Sequence, residues 1–148
     1  MNIRETFLKL TQKTYPHGTE DQLVSFLPKG VEQDQFGNYF LKIGESDTMF
    51  TCHLDTASST ETVVNHKIGS QIISTDGTSI LGADDKAGMT VILYMIENKV
   101  PGLYYFFIGE EVGCIGSSAA STLDFSKDSR SCFCFNFDMS IFIATSLF

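Results

Sequence analysis

Three short stretches of this sequence bring imidazole and carboxylate groups close together: His53-Leu54-Asp55-Thr56, Gly82-Ala83-Asp84-Asp85-Lys86-Ala87-Gly88 and Gly109-Glu110-Glu111-Val112-Gly113. Imidazole and carboxylate are donors that hold zinc at about 2.0–2.2 Å. Singly, each stretch is ordinary. An H-x-D reads as a polar turn, an ADDK as a helix N-terminus whose carboxylates favour the dipole, and a GEE as a solvated acidic turn. Together they read differently. Each lies at the expected end of a strand, and ligands in open α/β sheets bind at the carboxyl ends of strands. Carboxylates gathered at one edge repel one another unless a cation neutralises them. A metal centre is therefore expected.

The elements that must carry these groups follow from pattern. Residues 2–13 read as a helix with an apolar stripe of Ile3, Phe7, Leu8 and Leu10. After a YPHGTE breaker, Thr19 is the expected N-cap of a second helix over about 20–27, stopped by Pro28 and Gly30. Strands are expected over 38–43 and 48–52, and a hairpin over 63–75. A Gly-rich stretch leads into a helix at about 86–98. The segment 102–109 is apolar on both faces, as a buried parallel strand is. A short helix near 116–121 and a strand near 132–138 follow. Alternating strands and helices predict one α/β domain over residues 1–148. The glycines at 82, 88, 113 and 116 are expected to serve tight turns and close packing.

Composition limits the partners. The chain has 148 residues, with 43% hydrophobic, 12% aromatic and 19% charged content and a formal charge of −8. No basic patch is available for phosphates, so nucleic acid is excluded as a partner, as is an anionic membrane surface. The Phe-rich stretches 104–107 and 133–137 are then core strands, not stacking platforms. No run reaches the ~18 apolar residues of a membrane span. The N-terminus is amphipathic and does not read as a signal peptide. The spacing of Cys52, Cys114, Cys132 and Cys134 fits neither a zinc ribbon nor a disulfide framework. Free thiols in a reducing, cytoplasmic setting are expected, with Cys52 and Cys114 as core thiols.

HLDT, LGADDKAG and GEEVGCIGS together resemble the signature of the co-catalytic di-zinc exopeptidase superfamily, which includes peptidase T-like tripeptidases and bacterial leucyl aminopeptidases. PHGTEDQLVSFL and the D-x-x-G-N of Asp34 to Asn38 are similar to the same group, so the resemblance runs from about Pro16 to Asp138. It implies a three-layer α/β sandwich with a mixed, mostly parallel central sheet, incomplete at the C-terminus and without an inserted lid domain. It implies that His53, Asp84, Glu111 and Asp138 bind metal, with Asp84 bridging two zincs and the Asp84–Asp85 peptide cis. It further implies that Glu110 is the general base and that Asp55 orients the base or the imidazole from behind. Adjacent Glu110 and Glu111 can point different ways from one turn, so one can ligate while the other moves protons.

The chain departs from the family in one ligand. The family takes a further histidine from a distal segment, whereas here the histidines are His17, His53 and His66. His17 and His66 fall where the family has no ligand. One zinc or none is expected in place of two. The resemblance implies a zinc metallopeptidase acting on short peptides from the N-terminus. The alternative is a truncated, catalytically inactive paralogue that acts by binding metal or by association. The apolar tail SIFIATSLF and a cut sheet edge would favour self-association.

Overall fold

The computed structural model describes residues 1–123, 125 and 131–134. Its centre is a five-stranded mixed sheet in the order β1-β2-β6-β3-β7. These strands are β1 (Glu32–Gln33), β2 (Tyr39–Ile43), β3 (Thr48–His53), β6 (Gly102–Phe107) and β7 (Ser131–Cys134). β3 pairs parallel with both β6 and β7, while β2 pairs antiparallel with β1 and β6. A separate antiparallel hairpin is formed by β4 (His66–Ile68) and β5 (Ile73–Thr75).

The pleat of β3 and β6 divides the core in two, because successive side chains face opposite sides. Cys52, Tyr104 and Phe106 pack with Leu10, Leu23, Met89 and Ile92, beneath α1 (Ile3–Leu10) and α2 (Ala83–Glu97). Met49, Leu103 and Tyr105 pack on the other face with Ala120 of α3 (Ile115–Ala120). Helices thus cover both faces, which makes three layers. It also explains why β6 is apolar at every position: both its faces are buried.

The expected elements are present, with local differences. The helix over 2–13 ends earlier, at Leu10, with Thr11 as its C-cap. The segment after Thr19 is a 3-10 helix, Glu20–Phe26, and Thr19 does not cap it. Its hydroxyl donates back to the Pro16 carbonyl at 2.7 Å, and Glu20 is drawn inward instead. β1, only two residues long, carries no periodicity that could announce it. The strand expected near 132–138 is present as β7, and its remainder lies outside the described residues, as does the tail from residue 140. Among the described residues, no helix is long and apolar enough to cross a membrane.

Candidate metal centre

His53 is the last residue of β3 and is 4% exposed. Its Nε2 lies 3.2 Å from Asp84 Oδ1. On the other side of the ring, Nδ1 is 3.1 Å from the Asp55 carbonyl oxygen and 3.4 Å from Asp55 Oδ1. An imidazole held at Nδ1 by an acceptor presents Nε2 outward as a donor to a metal. Burial opposes a charge on this ring, but the Asp55, Asp85 and Asp84 carboxylates outweigh it and raise the His53 pKa to about 9. A metal bound at Nε2 would compete with a proton on His53.

Asp84 and Asp85 sit at the start of α2 and take different roles. Their torsions are not helical (φ −82°, ψ 110° and φ −113°, ψ 40°), and the peptide joining them is cis. Asp84 remains partly exposed and faces His53. Asp85 is fully buried and its Oδ1 accepts the Gly88 N–H at 3.0 Å. That bond caps the regular part of the helix, which therefore begins near residue 86. Its Oδ2 is buried and, among the described residues, has no hydrogen-bond partner within ordinary geometry; burial raises the Asp85 pKa to about 8. Lys86, fully buried beside it, donates to the Leu54 and Asp55 carbonyls and lies 5.4 Å from the centroid of the Tyr15 ring. Burial lowers its pKa to about 8. Sequence reasoning gave Lys86 no role, and a lysine in a helix's first turn carries no signal that it is buried.

Glu110 and Glu111 follow β6 on a turn held by side chains. Asp55, fully buried, accepts the Glu110 N–H on Oδ1 and the Glu111 N–H on Oδ2, each at 3.0 Å. Burial pushes the Asp55 carboxyl upward, but hydrogen bonds from His53 and these two amides prevail and hold it below its usual value. Asp55 therefore touches both the imidazole and the turn. Asn38, also fully buried, accepts the Ile108 N–H at 3.2 Å and donates to the Gly116 carbonyl at 3.1 Å and to Asp34 at 2.9 Å. The D-x-x-G-N stretch is thus a brace beneath the turn.

The side chains of His53, Asp84 and Glu111 each offer a ligand atom, all within 4.8 Å of one another. Such a donor set, one imidazole and two carboxylates at close quarters, suits a divalent metal ion. Burial raises the Glu111 pKa, with Asp84 and Glu110 adding to the rise, so the carboxylates here crowd one another. Asp138 lies outside the described residues. His66 is elsewhere, bonded to Thr11 Oγ1 at 2.8 Å. His17 belongs to a second group with Glu20 and Asp55, also within 4.8 Å. Nothing in the sequence singled out Glu20, since a glutamate opening a helix normally reads as solvated.

Cys52 is a buried core thiol, as expected, but Cys114 is exposed. It occupies a left-handed position (φ 54°) before α3, where the turn directs its thiol outward to donate to Glu110 Oε1 at 3.5 Å. Gly82 (φ 67°) and Gly113 (φ 111°) fill left-handed turns. A side chain at Gly116 would meet Asn38 Oδ1 at 2.1 Å and the Ile108 carbonyl oxygen at 2.6 Å.

No protein-family model matches the chain. Its sequence is similar to peptidase T of Streptococcus pyogenes, with 37% identity over 73 residues, 44% of this chain and 18% of that protein. Its fold is similar to the aminopeptidase PepT of Bacillus cereus, with a TM-score of 0.73, 26% identity, and coverage of 92% of this chain and 43% of the other. It is likewise similar to a tripeptidase of Staphylococcus aureus, with a TM-score of 0.72, 25% identity, and coverage of 90% and 42%. The chain spans about a fifth of the length of the curated relatives it matches.

Proposed function

We propose that this peptidase T-like chain carries the metal-binding part of a zinc-dependent peptidase that acts on short peptides at a free N-terminus, in the cytoplasm. The observation that carries the reading is the convergence of His53, Asp84 and Glu111 from three separate segments, with Glu110 beside them on the same turn. His53, Asp84, Glu111 and Asp138 are the proposed ligands, Asp138 on the resemblance alone. Zinc held there would supply Lewis acidity, polarising the scissile carbonyl and activating water near neutral pH. Glu110 accepts the proton of the attacking water and returns it to the leaving amine. Asp55 keeps the His53 ring and the Glu110–Glu111 turn in place.

The test pairs elemental analysis with a tripeptide hydrolysis assay on the 148-residue chain and on Glu110→Gln. The expected result is at most one zinc per chain in both, with little turnover from the unsubstituted chain and none from Glu110→Gln. Loss of zinc in Glu110→Gln would show that the roles of Glu110 and Glu111 are exchanged. No zinc in either chain would overturn the metal-dependent peptidase reading and favour the association module.

A further inference from the structure

We propose that Glu20 is a positioning residue that fixes the Glu110–Glu111 turn, a reading that rests on the roles given to those two residues above. Glu20 opens the 3-10 helix and is 5% exposed. A carboxylate so buried must find donors, or its desolvation goes uncompensated. It has three. The His17 Nδ1–H donates to Oε1 at 2.8 Å, the Gly18 N–H to Oε2 at 2.6 Å, and the Gly109 N–H to Oε1 at 3.2 Å. The third donor lies 89 residues away in sequence, at the first residue of the turn.

Glu20 and Asp55 together hold three consecutive amides, those of Gly109, Glu110 and Glu111. Two buried carboxylates from different segments thereby determine the path of the backbone from which the proposed base and the proposed ligand diverge. His17 adds a wall. A Cβ on Gly109 would stand 3.0 Å from His17 Cε1 and Nδ1 and 3.2 Å from Ile115 Cβ, and Gly109 has φ +62°. A side chain there would be strained by the left-handed backbone and would have to push the His17 ring aside. Ligands held to within about 0.5 Å of their working positions depend on such support.

The His17, Glu20 and Asp55 group is compact enough to hold a cation itself. The hydrogen-bonded reading is preferred because every carboxylate oxygen in the group already accepts a bond from a backbone N–H. The two readings differ in metal count.

The experiment uses the isotopically labelled 148-residue chain with Glu20→Gln and Glu20→Ala. Amide hydrogen exchange is followed at Gly18 and Gly109, with the β6 amides of Tyr104–Phe106 as an internal control. Co²⁺ titration is read by visible absorption. In Glu20→Ala, Gly109 exchange should rise at least about tenfold while β6 stays protected, and Co²⁺ affinity should fall about tenfold with an altered spectrum. Glu20→Gln should give a smaller version of both, because its carbonyl oxygen can serve one backbone donor while its NH₂ faces the other. If Glu20→Ala fails to fold, the isosteric Gln variant decides by the same criteria. Unchanged Gly109 exchange in the folded variants would overturn the proposal. So would faster Gly109 exchange with wild-type Co²⁺ affinity and spectrum, which would make Glu20 merely structural. Loss of one Co²⁺ per chain in Glu20→Gln would make it a ligand instead. None of these readouts uses hydrolysis, so the outcome of the hydrolysis assay leaves this result standing. A wild-type chain that takes up no Co²⁺ removes the metal reading and the proposal with it.

Discussion

The turn after β6 and the β4–β5 hairpin are both short excursions from the core, yet they are secured in opposite ways. In the turn, four consecutive amides, from Ile108 to Glu111, are held by the side chains of Asn38, Glu20 and Asp55. The acceptors come from three different segments, and all three are buried. The hairpin has a three-residue ladder on each side and carries Ile68 and Ile72 at 50% and 71% exposure. Outside the pair, His66 bonds to Thr11, while Asn65 and Asp76, which flank the two strands, bond to each other through both backbone and side chain. Buried polar networks fix geometry when every member is satisfied. The molecule concentrates that device behind the residues proposed to do chemistry.

The sharpest way to break this contrast is Asp55→Asn. An amide in place of the carboxylate keeps the volume but turns an NH₂ toward a donor, either the His53 ring or one of the turn amides. Stability should fall on the order of 3 kcal/mol, the cost of disrupting a buried charged network. Metal affinity should fall by about tenfold to a hundredfold, as when a partner behind a ligand is lost. Urea denaturation and zinc competition with a chelator measure the two effects. A stable, zinc-loaded Asp55→Asn would show that the turn needs no clamp.

Asp34→Asn should separate bracing from binding. Asp34 accepts from the amides of Phe36 and Asn38, from Asn38 Nδ2 and from the Tyr105 hydroxyl. Removing its charge should cost about 1–3 kcal/mol and leave zinc affinity within about twofold, since Asp34 touches the turn only through Asn38. Burial pushes the Asp34 pKa up, but these hydrogen bonds win and hold it below its ordinary 3.8. A folded-state pKa below the unfolded one stabilises the fold above the unfolded value. That contribution disappears as pH falls through the lower, folded value. The gap between wild type and Asp34→Asn should therefore be constant above about pH 5 and narrow below pH 3.8, as seen in urea midpoints across that range. A gap that widens on acidification would reverse the sign of the shift.

How far the sequence reveals this arrangement depends on whether a residue's role is set by type or by tertiary partner. β6 could be read because a strand apolar at every position has one explanation, burial on both faces. His53, Asp84 and Glu111 could be read as a group because carboxylates do not gather at an edge without cause. Asp84 and Asp85 have the same side chain, and only the backbone at the start of α2 decides that one faces His53 and the other caps the helix. Glu20 and Lys86 were invisible because each looks like a solvated residue in a helix's first turn. Their partners, Gly109 and the Leu54 carbonyl, lie 89 and 32 residues away. Cys114 differs from the core thiol its type suggests because the left-handed turn before α3 directs it outward.

The smallest effect is expected in the hairpin, at Ile72→Ser. Ile72 lies in the connection between β4 and β5, where its carbonyl accepts the Gly69 N–H at 2.8 Å. The backbone closes this turn, so the side chain is not needed to form it. At 71% exposure the isoleucine buries too little apolar surface for its loss to matter, since hydrophobic stabilisation scales with area removed from water. Serine also suits a turn better than a β-branched residue does. Stability should stay within about 0.5 kcal/mol of wild type, and zinc affinity should not change. The informative measurement is the pair of urea midpoint and light scattering. A midpoint loss well beyond 0.5 kcal/mol in a monomeric sample would mean that the hairpin is packed as tightly as the turn, and the contrast between the two regions would fail. A variant that stays monomeric where the wild type associates would place Ile72 in a contact between chains.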